Sequence, residues 1–226
     1  PVLLEVHDLP SGQVGPHWFR YFRDMKGKKR ISVISRGLLD TLTEKFGAHF
    51  RSADVIMAPN GVELERYESM PSPEEARKTL NLKEAPTVVC SGHLYSGRGV
   101  DLFVELARQF EEQQVQFIWA GGKTEDVHTW QEKTKDISSL TFTGLIPNSA
   151  FPLYQAAADV LLMPYSREIG ISSGMGNSAQ VSSPMKMFEY LASGRAIIAS
   201  DIAVFHEVLN EHNCVFCEPD QADKWK

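Results

Sequence analysis

The sequence predicts an α/β fold built on two parallel sheets. Short runs rich in Val, Ile and Leu alternate with segments of helical period along the chain, and this alternation is typical of parallel strands covered by helices. The pattern breaks at Pro59-Asn60-Gly61 and the polar, proline-containing stretch after it, because such residues favour turns. We therefore expect two helix-covered sheets joined by a linker, with a first unit over residues 1–62 and a second over residues 63–226.

The first unit supplies few strands. They are predicted at Val2–Val6, Ile31–Ile34 and Asp54–Met57, with an amphipathic helix at Gly37–Phe46, and the first strand has the composition of a buried one. Three strands are fewer than an α/β sheet usually has. We therefore expect an incomplete first sheet, and the opening without a methionine suggests a piece of a longer protein. Its open edges are expected either to self-associate through residues 1–58 or to be the most mobile part of the chain.

The second unit is predicted to hold a complete core. Its predicted strands are Thr87–Cys90, Val115–Ala120, Leu140–Thr143, Asp159–Met163, Ala196–Ala199 and the short Cys214–Cys217. Its predicted helices are Val100–Phe110, Val127–Lys133, Ala150–Ala157, Pro184–Ser193 and Ala203–Leu209.

Composition excludes several classes of protein. With 42% hydrophobic and 23% charged residues, the chain is globular rather than disordered. It lacks the features of a signal peptide, and no run reaches the roughly 18 to 20 apolar residues of a membrane-spanning helix, so a soluble, cytoplasmic protein is expected. The net charge of −6 argues against nucleic acid as a partner, because phosphate binding needs a concentrated basic surface.

One local cluster departs from this acidic balance. Residues 17–30 mix aromatic and basic side chains, as do segments that lie on anionic membranes with rings in the interface and cations on the headgroups. A solvated face above core aromatics explains the same residues, and both interpretations stay open. The cluster consists of Trp18, Phe19, Arg20, Tyr21, Phe22, Arg23, Lys26, Lys28, Lys29 and Arg30.

The cysteines are assigned to packing in a reducing compartment. Cys214 and Cys217 form a C-x-x-C, but a redox pair needs this spacing at a helix N-terminus, and a zinc site needs two further ligands. The segment resembles a strand, in which residues three apart point to opposite faces. No metal site is expected here.

The most informative segment is the helix predicted at Pro184–Ser193. Ser183 is expected as its N-cap, Pro184 as its first residue and Gly194 as its end. The free N–H groups and the dipole of a helix N-terminus attract anions. Lys186 in the first turn opposes that dipole unless an anionic ligand offsets it, so an anion site is indicated.

Two further features fit a nucleotide ligand. Glu189, one turn further along the helix, can accept hydrogen bonds from the two hydroxyls of a ribose, although a capped surface helix without a ligand explains this segment as well. The glycines of residues 91–99 follow a predicted strand and let backbone approach a phosphate, to which Arg98 can donate two hydrogen bonds. Their spacing differs from the dinucleotide-binding fingerprint, and there is no Walker A sequence.

Together, these motifs resemble glycosyltransferase family 4, the group 1 glycosyltransferases. The resemblance is carried, in order along the chain, by VHDLP around His7, ISVISRGL, APNGVE, SGHLYSGRGVDLF, FTGLIP, LYQAAADVLLMPY and SPMKMFEYLASGRAIIASD. APNGV resembles the family's interdomain linker, and the SP-K-FEY-ASG helix is the strongest match. The resemblance implies a GT-B fold of two Rossmann-like domains, here an incomplete acceptor-side domain and a donor-binding domain. It also implies retaining transfer of a sugar from a nucleotide diphosphate, generally without an essential metal or other cofactor.

The resemblance implies roles for single residues as well. Glu189 is similar to the family's ribose-binding glutamate and Arg98 to its diphosphate-binding basic residue, while His93 stands where a second arginine often sits. His7 resembles a histidine near the transferred sugar, and the main chain at Ile146 resembles the position that reads the base. The expected catalytic residues are His7, Arg98 and Lys186. The expected nucleotide-sugar-binding residues are Gly92, His93, Ser96, Gly97, Ile146, Ser183, Pro184, Met185 and Glu189.

One position departs from the family pattern. The family's first glutamate falls on Val181, which cannot accept a hydrogen bond from a sugar hydroxyl. The candidates to replace this missing acceptor are Glu168 and the backbone amides of the loop 166–182. This loop contains Gly170, Gly174, Gly176 and Asn177.

The implied mechanism relies on fixed charge. Charge on the departing diphosphate would be stabilised by Arg98, Lys186 and the helix N-terminus. The leaving phosphate oxygen would take the proton of the acceptor, which is a glycan, a lipid-linked molecule or a small molecule. No Asp-x-Asp pair is present to hold a bridging cation. Two alternatives remain: a nucleotide-sugar-binding module without turnover, and a nicotinamide-dependent dehydrogenase, which shares the α/β pattern but not the glycine fingerprint.

Overall fold

The computed structural model describes residues 1–169 and 178–226, and within them it shows two parallel sheets with helices packed on them. The fold is α/β, as predicted. Some of the loop residues that were candidates to compensate for Val181 lie outside the described residues. They are Gly170, Gly174, Gly176 and Asn177.

The first sheet has three strands, β1 (Val2–Val6), β2 (Lys29–Val33) and β3 (Val55–Met57), in the order β1-β2-β3. Its core lies against helices α1 (Gly15–Asp24) and α2 (Arg36–Phe46). The expectation of a buried first strand is wrong. β1 is an edge strand that pairs with β2 on one side, and most of its residues are exposed.

Helix α1 was not predicted from the sequence. Pro16 stands in its first turn, where the missing N–H costs nothing. Phe19 and Phe22, three residues apart, lie on one helix face and are buried in the first core. The dense basic residues between the aromatics hid this helical period in the sequence.

Helix α2 begins and ends where its sequence requires. The hydroxyl of Ser35 accepts a hydrogen bond from the Leu38 amide at 3.0 Å, which satisfies one of the free donors of the first turn. Gly47 ends the helix in the left-handed conformation, with φ 61°. This helix start lies against the second unit and contributes to the contact between the two.

The second sheet has six parallel strands in the order β6-β5-β4-β7-β8-β9. The chain builds outward from β4 to β5 and β6, then returns beside β4 and builds outward the other way. The strands are β4 (Thr87–Ser91), β5 (Gln116–Ala120), β6 (Leu140–Phe142), β7 (Val160–Met163), β8 (Ala196–Ser200) and β9 (Val215–Cys217). The helices are α3 (Pro73–Thr79), α4 (Val100–Gln109), α5 (Thr124–Lys133), α6 (Phe151–Ala157) and α7 (Met185–Ser193).

Two elements of the second unit differ from the prediction. Helix α3 was missed, although Ser72 and Glu75 form a capping box at its start, because the neighbouring prolines suggested a loop. The helix predicted at Ala203–Leu209 is a shorter 3-10 helix, Ala203–Glu207. Both differences concern short elements, for which tertiary packing outweighs local pattern.

Two apolar cores cover opposite faces of the second sheet. Cys214 lies in one core and Cys217 packs against the other, so the predicted placement on opposite faces is confirmed. Both cysteines, and Cys90, are free.

Contacts around the start of α2 join the two units. The Glu207 carboxylate of the second unit accepts hydrogen bonds from the amides of Arg36 and Gly37 at 2.7 and 2.9 Å. The Ser35 hydroxyl donates to the carbonyl of Val181 at 2.8 Å. A Cβ on Gly37 would overlap the backbone of the second unit, so the two units are in close contact here.

Among the described residues, no helix has both the length and the apolar character that a membrane-spanning segment needs.

Candidate functional site

The strand order of the second sheet places a crevice at its centre. Successive crossovers leave β4 in opposite directions, and ligands of open α/β sheets bind at the carboxyl ends of the strands where the order reverses in this way. The carboxyl ends of β4 and β7 open on a cavity of about 590 Å³ that is lined by residues of both units. This cavity is called the central cleft below.

A larger cavity of about 1030 Å³ lies elsewhere, at the amino ends of the first sheet's strands, beside Val2, Lys29 and Phe50. Its place at the amino ends, away from the crevice and the predicted motifs, makes it a poor candidate for a nucleotide site. The central cleft is therefore the candidate functional site.

Two cations meet in the central cleft, as the sequence predicted. Arg98 comes from the loop after β4 and Lys186 from the first turn of α7. Both lie against the ring of Tyr165: the Arg98 guanidinium carbon is 5.0 Å and the Lys186 Nζ is 5.1 Å from the ring centroid. Arg98 also donates a hydrogen bond to the Tyr165 hydroxyl at 2.5 Å.

These two cations lie beside neutral groups. Within residues 1–169 and 178–226, neither Arg98 nor Lys186 forms an ion pair with a carboxylate. Lys186 Nζ instead lies 3.6 Å from the Cys90 sulfur. Burial raises the pKa of the Cys90 thiol, and the Lys186 charge only partly opposes this. With a neutral thiol as neighbour, the two cations leave their charge available to an anion in the cleft.

The start of α7 also faces the central cleft. The predicted N-cap is wrong: Pro184, not Ser183, is the N-cap residue, it makes no side-chain capping bond, and the helix begins at Met185. The Met187 amide donates to the Pro184 carbonyl at 3.1 Å, so the amides of Met185 and Lys186 are the first-turn donors that could bind a ligand. Ser183 serves another purpose, because its hydroxyl accepts from the Asn60 amide at 3.2 Å and its carbonyl accepts from the Asn60 side chain. The linker thereby holds the helix start in place.

Glu189 lines the cleft further along α7 and is only 9% exposed. Gln155 Nε2 donates to its carboxylate over a long 3.4 Å. Tyr67 of the second unit lies in the same region, and its pKa is raised to about 12, first by burial and then by the charge of Glu189. A buried carboxylate with one weak donor retains acceptor capacity for ligand hydroxyls.

The rim of the cleft carries aromatic and imidazole groups from both units. His93 stacks on Tyr95 with 5.0 Å between ring centroids, and Lys123 Nζ lies 5.6 Å from the same Tyr95 ring. On the first unit's side, His7 lines the cleft and its Nε2 lies 2.8 Å from a Glu5 carboxylate oxygen. His7 and His93 therefore lie on the walls of one cavity.

Three predicted binding residues do not line the central cleft. Ser96 is exposed, and Ile146 packs against a core of the second unit. Gly97 is required for packing: a Cβ there would overlap the backbone of Glu168 and lie 2.7 Å from the Cα of Ile169. By contrast, a Cβ on Gly92, which does line the cleft, would meet Lys186 Nζ at 3.6 Å.

The structure adds cleft residues that the sequence analysis missed. Tyr165 is the most informative, because it contacts both cations. It comes two residues after the end of β7, and its place beyond the carboxyl end of a predicted strand was a signal that could have found it. The other cleft-lining residues missed are Asp8, Ile34, Asn60, Ser91, Tyr95, Asn148, Phe151 and Ser182.

Val181 was expected to depart from the family pattern. Its side chain is buried in the core of the first unit and its carbonyl is hydrogen-bonded to Ser35. Val181 therefore holds the two units together. The candidate Glu168 is exposed and does not line the cleft.

Residues 85–226 match the family model described as "Glycosyl transferases group 1". The chain is also 29% identical over 143 residues to a GDP-mannose-dependent alpha-(1-6)-phosphatidylinositol monomannoside mannosyltransferase of Mycobacterium tuberculosis, a match that covers 61% of this chain and 36% of that protein. It thus spans only part of the length of this relative.

Solved structures show the same fold. The chain is similar to Anabaena HepE in complex with UDP, with a TM-score of 0.75 and 16% identity over 100% of this chain and 60% of that one. It is also similar to WaaG, a glycosyltransferase involved in lipopolysaccharide biosynthesis, with a TM-score of 0.69 and 15% identity over 98% of this chain and 62% of that one. The fold is therefore of the GT-B type, and this chain covers part of it.

Proposed function

The chain belongs to the group 1 glycosyltransferases, and we propose that it moves a sugar from a nucleotide diphosphate sugar to an acceptor hydroxyl, with retention of the anomeric configuration, as in family 4. The observation that carries the proposal is the meeting of Arg98 and Lys186, without carboxylate partners in the described part of the chain, at the carboxyl ends of the central strands. Two adjacent cations match the charge of a diphosphate.

In this proposal the nucleotide lies along α7. The diphosphate faces Arg98, Lys186 and the first-turn amides of the helix. Glu189 accepts hydrogen bonds from the ribose hydroxyls, with Gln155 beside it. The distance along α7 from Lys186 to Glu189 is one helical turn, about 5 Å, which matches the separation of neighbouring parts of one nucleotide.

We further propose that catalysis does not depend on a metal or other cofactor. As the bond to the sugar breaks, charge on the departing diphosphate is stabilised by the two cations and the α7 N-terminus, whose positions are fixed beforehand by packing. The leaving phosphate oxygen takes the acceptor proton. His7, which lines the cleft from the first unit, contacts the sugar or the acceptor.

We propose residues 1–62 as the acceptor-side part and linker, and residues 63–226 as the donor-binding domain. The acceptor is a glycan or a lipid-linked molecule of cell-surface polysaccharide or glycan synthesis. The support is the name of the mycobacterial relative, a mannosyltransferase that acts on phosphatidylinositol monomannoside.

We propose that the protein works in the cytoplasm, with residues 17–30 on the membrane face. Two different faces of α1 support the two interpretations of this segment. Phe19 and Phe22 are core residues, while Trp18 and Tyr21 are 61% and 58% exposed and pack edge to face on each other. W18A/Y21A should reduce sedimentation with anionic vesicles and leave binding of nucleotide diphosphates unchanged. Equal sedimentation of variant and wild type would contradict this proposal.

Calorimetric titration with UDP and GDP tests the donor site. R98A, K186A and E189A should each weaken the preferred nucleotide about 10- to 100-fold, because each removes a charge-assisted hydrogen bond of about 1.5 to 3 kcal/mol. The matched controls are R108A and K133A, which remove surface cations of the same unit away from the cleft and should leave affinity unchanged. No binding of either nucleotide by the wild type, or equal losses in the controls, would contradict the assignment.

A nucleotide-sugar-binding module without turnover is the second candidate, favoured by Val181 at the glutamate position. Full-length protein incubated with nucleotide sugars separates the two, because only an enzyme releases the nucleotide diphosphate. Release of nucleotide diphosphate that depends on Lys186 supports the transferase.

A further inference from the structure

We propose that Tyr165 is a positioning residue that holds Arg98 and Lys186 together at the spacing of a diphosphate. The inference rests on the proposed function, since it presumes that the central cleft binds a nucleotide diphosphate. In the absence of a ligand, Tyr165 keeps these two like charges adjacent.

Tyr165 is itself held rigidly. Its side chain is 0% exposed and packs edge to face on Phe205, with 5.4 Å between ring centroids. Its carbonyl accepts a hydrogen bond from the Ser200 hydroxyl at 2.6 Å. Next to it, the Ser166 amide donates to the Gly97 carbonyl at 3.0 Å. These contacts join Tyr165 to β8 and to the loop that carries Arg98.

The ring offers the two cations a shared electrostatic partner. Each lies about 5 Å from the centroid, within the range of cation–π attraction, because the ring face is the negative part of its quadrupole. The hydroxyl adds a hydrogen bond from Arg98 at 2.5 Å. Arg98 and Lys186 are long side chains with many rotamers, and an aromatic partner restricts both.

A purely structural role predicts something different. Filling the core between β7 and Phe205 needs an apolar ring but no hydroxyl, so phenylalanine would serve equally well. The hydroxyl of Tyr165, however, bonds to a cation that lines the cleft. The hydrogen bond therefore links the core to the site, and its removal should weaken the binding of the ligand.

The test compares Y165F, which keeps the ring, with Y165L, which removes it. For UDP and GDP, Y165F should weaken the nucleotide that binds about 3- to 10-fold and Y165L about 10- to 50-fold. Displacement calorimetry with uridine or guanosine, which lack phosphates, should show unchanged affinity. In the R98A background, Y165F should have no further effect, because the partner of the hydroxyl is already absent.

Two matched variants exclude general effects. Y154F removes the hydroxyl of a half-buried tyrosine on α6 that does not line the cleft, and F142L removes a buried ring from β6. Both should retain wild-type affinity for the diphosphate.

Each outcome is decisive. Wild-type affinity for the diphosphate in both Tyr165 variants, or equal losses for nucleoside and diphosphate, overturns the positioning role while the proposed function stands. Failure of the wild type to bind UDP and GDP removes both proposals together. If Y165L does not fold, Y165F alone and in the R98A background decides the question.

Discussion

A substitution at Gly99 tests how the loop that carries Arg98 is held in place. The residue precedes α4 in the left-handed conformation, with φ 81°. A Cβ at this position would lie 2.9 Å from the Cβ of Pro164 and would overlap its carbonyl group. Pro164 follows the central strand β7 directly, so neither backbone can move aside without disturbing the sheet. G99A therefore imposes two separate costs.

The first cost is conformational, because a non-glycine residue in the left-handed region costs about 1 to 2 kcal/mol. The second is steric, and inserting a methyl group into a packed region that cannot relax costs about 1 to 3 kcal/mol. Together they predict a loss of about 2 to 5 kcal/mol, a large part of the 5 to 15 kcal/mol by which domains are usually stable. Gly194 provides the control, because its φ is 65° and its Cβ would meet nothing within 4 Å.

Urea unfolding followed by circular dichroism measures both variants, with an unchanged m-value as the check on two-state behaviour. G194A should lose only the conformational part, about 1 to 2 kcal/mol. G99A should lose more and should also bind UDP or GDP more weakly, because Arg98 precedes it directly. Equal losses for the two variants, within about 0.5 kcal/mol, would refute the steric argument.

Three further predictions concern stability. The pKa of Tyr67 is raised to about 12. Its neutral form therefore contributes stability that is fully present below about pH 10 and is lost as the pH rises through the folded pKa. In urea unfolding over this pH range, Y67F should lose less stability than the wild type. E207A removes the acceptor of the Arg36 and Gly37 amides at the start of α2, so it should destabilise by about 1 kcal/mol and speed hydrogen exchange at these two amides, whereas E211A, at an exposed site, should not. R77M should cost about 2 to 3 kcal/mol in thermal unfolding, because the buried guanidinium donates to Ala157 and to two carboxylates.

The parallel strands were predictable because buried β runs are nearly continuous in apolar residues. Each predicted strand is present, with ends shifted by no more than two residues. The helices α1 and α3 were missed because their local composition, basic in one and proline-containing in the other, masked the apolar period. Exposure was harder to predict: the apolar β1 lies at an edge, which depends on strand order and not on its own sequence.

The candidate site was predictable where a motif carries charge. Lys186, in the first turn of α7, indicated an anion partner, and Arg98, next to the start of α4, was a weaker signal for the same partner. The contact of Tyr165 with both cations was not predictable, because only the pairing of β4 with β7 brings the segment after β7 beside the loop that carries Arg98. The glycines of residues 91–99 include two whose packing role was not predicted. They were attributed to phosphate approach, but Gly97 and Gly99 are required by contact with the segment after β7.

This packing bears directly on how the cleft works. Stabilising charge on a leaving group is effective only when the stabilising groups are held in place before the reaction, since otherwise their reorientation consumes part of the gain. Here Tyr165 restrains both cations, Gly97 and Gly99 lock the Arg98 loop onto the end of β7, and Asn60 fixes the start of α7. Tyr165 and Asn60 line the cleft, whereas Gly97 and Gly99 lie behind its wall. Substitutions there should therefore change nucleotide affinity without removing any group that touches the ligand.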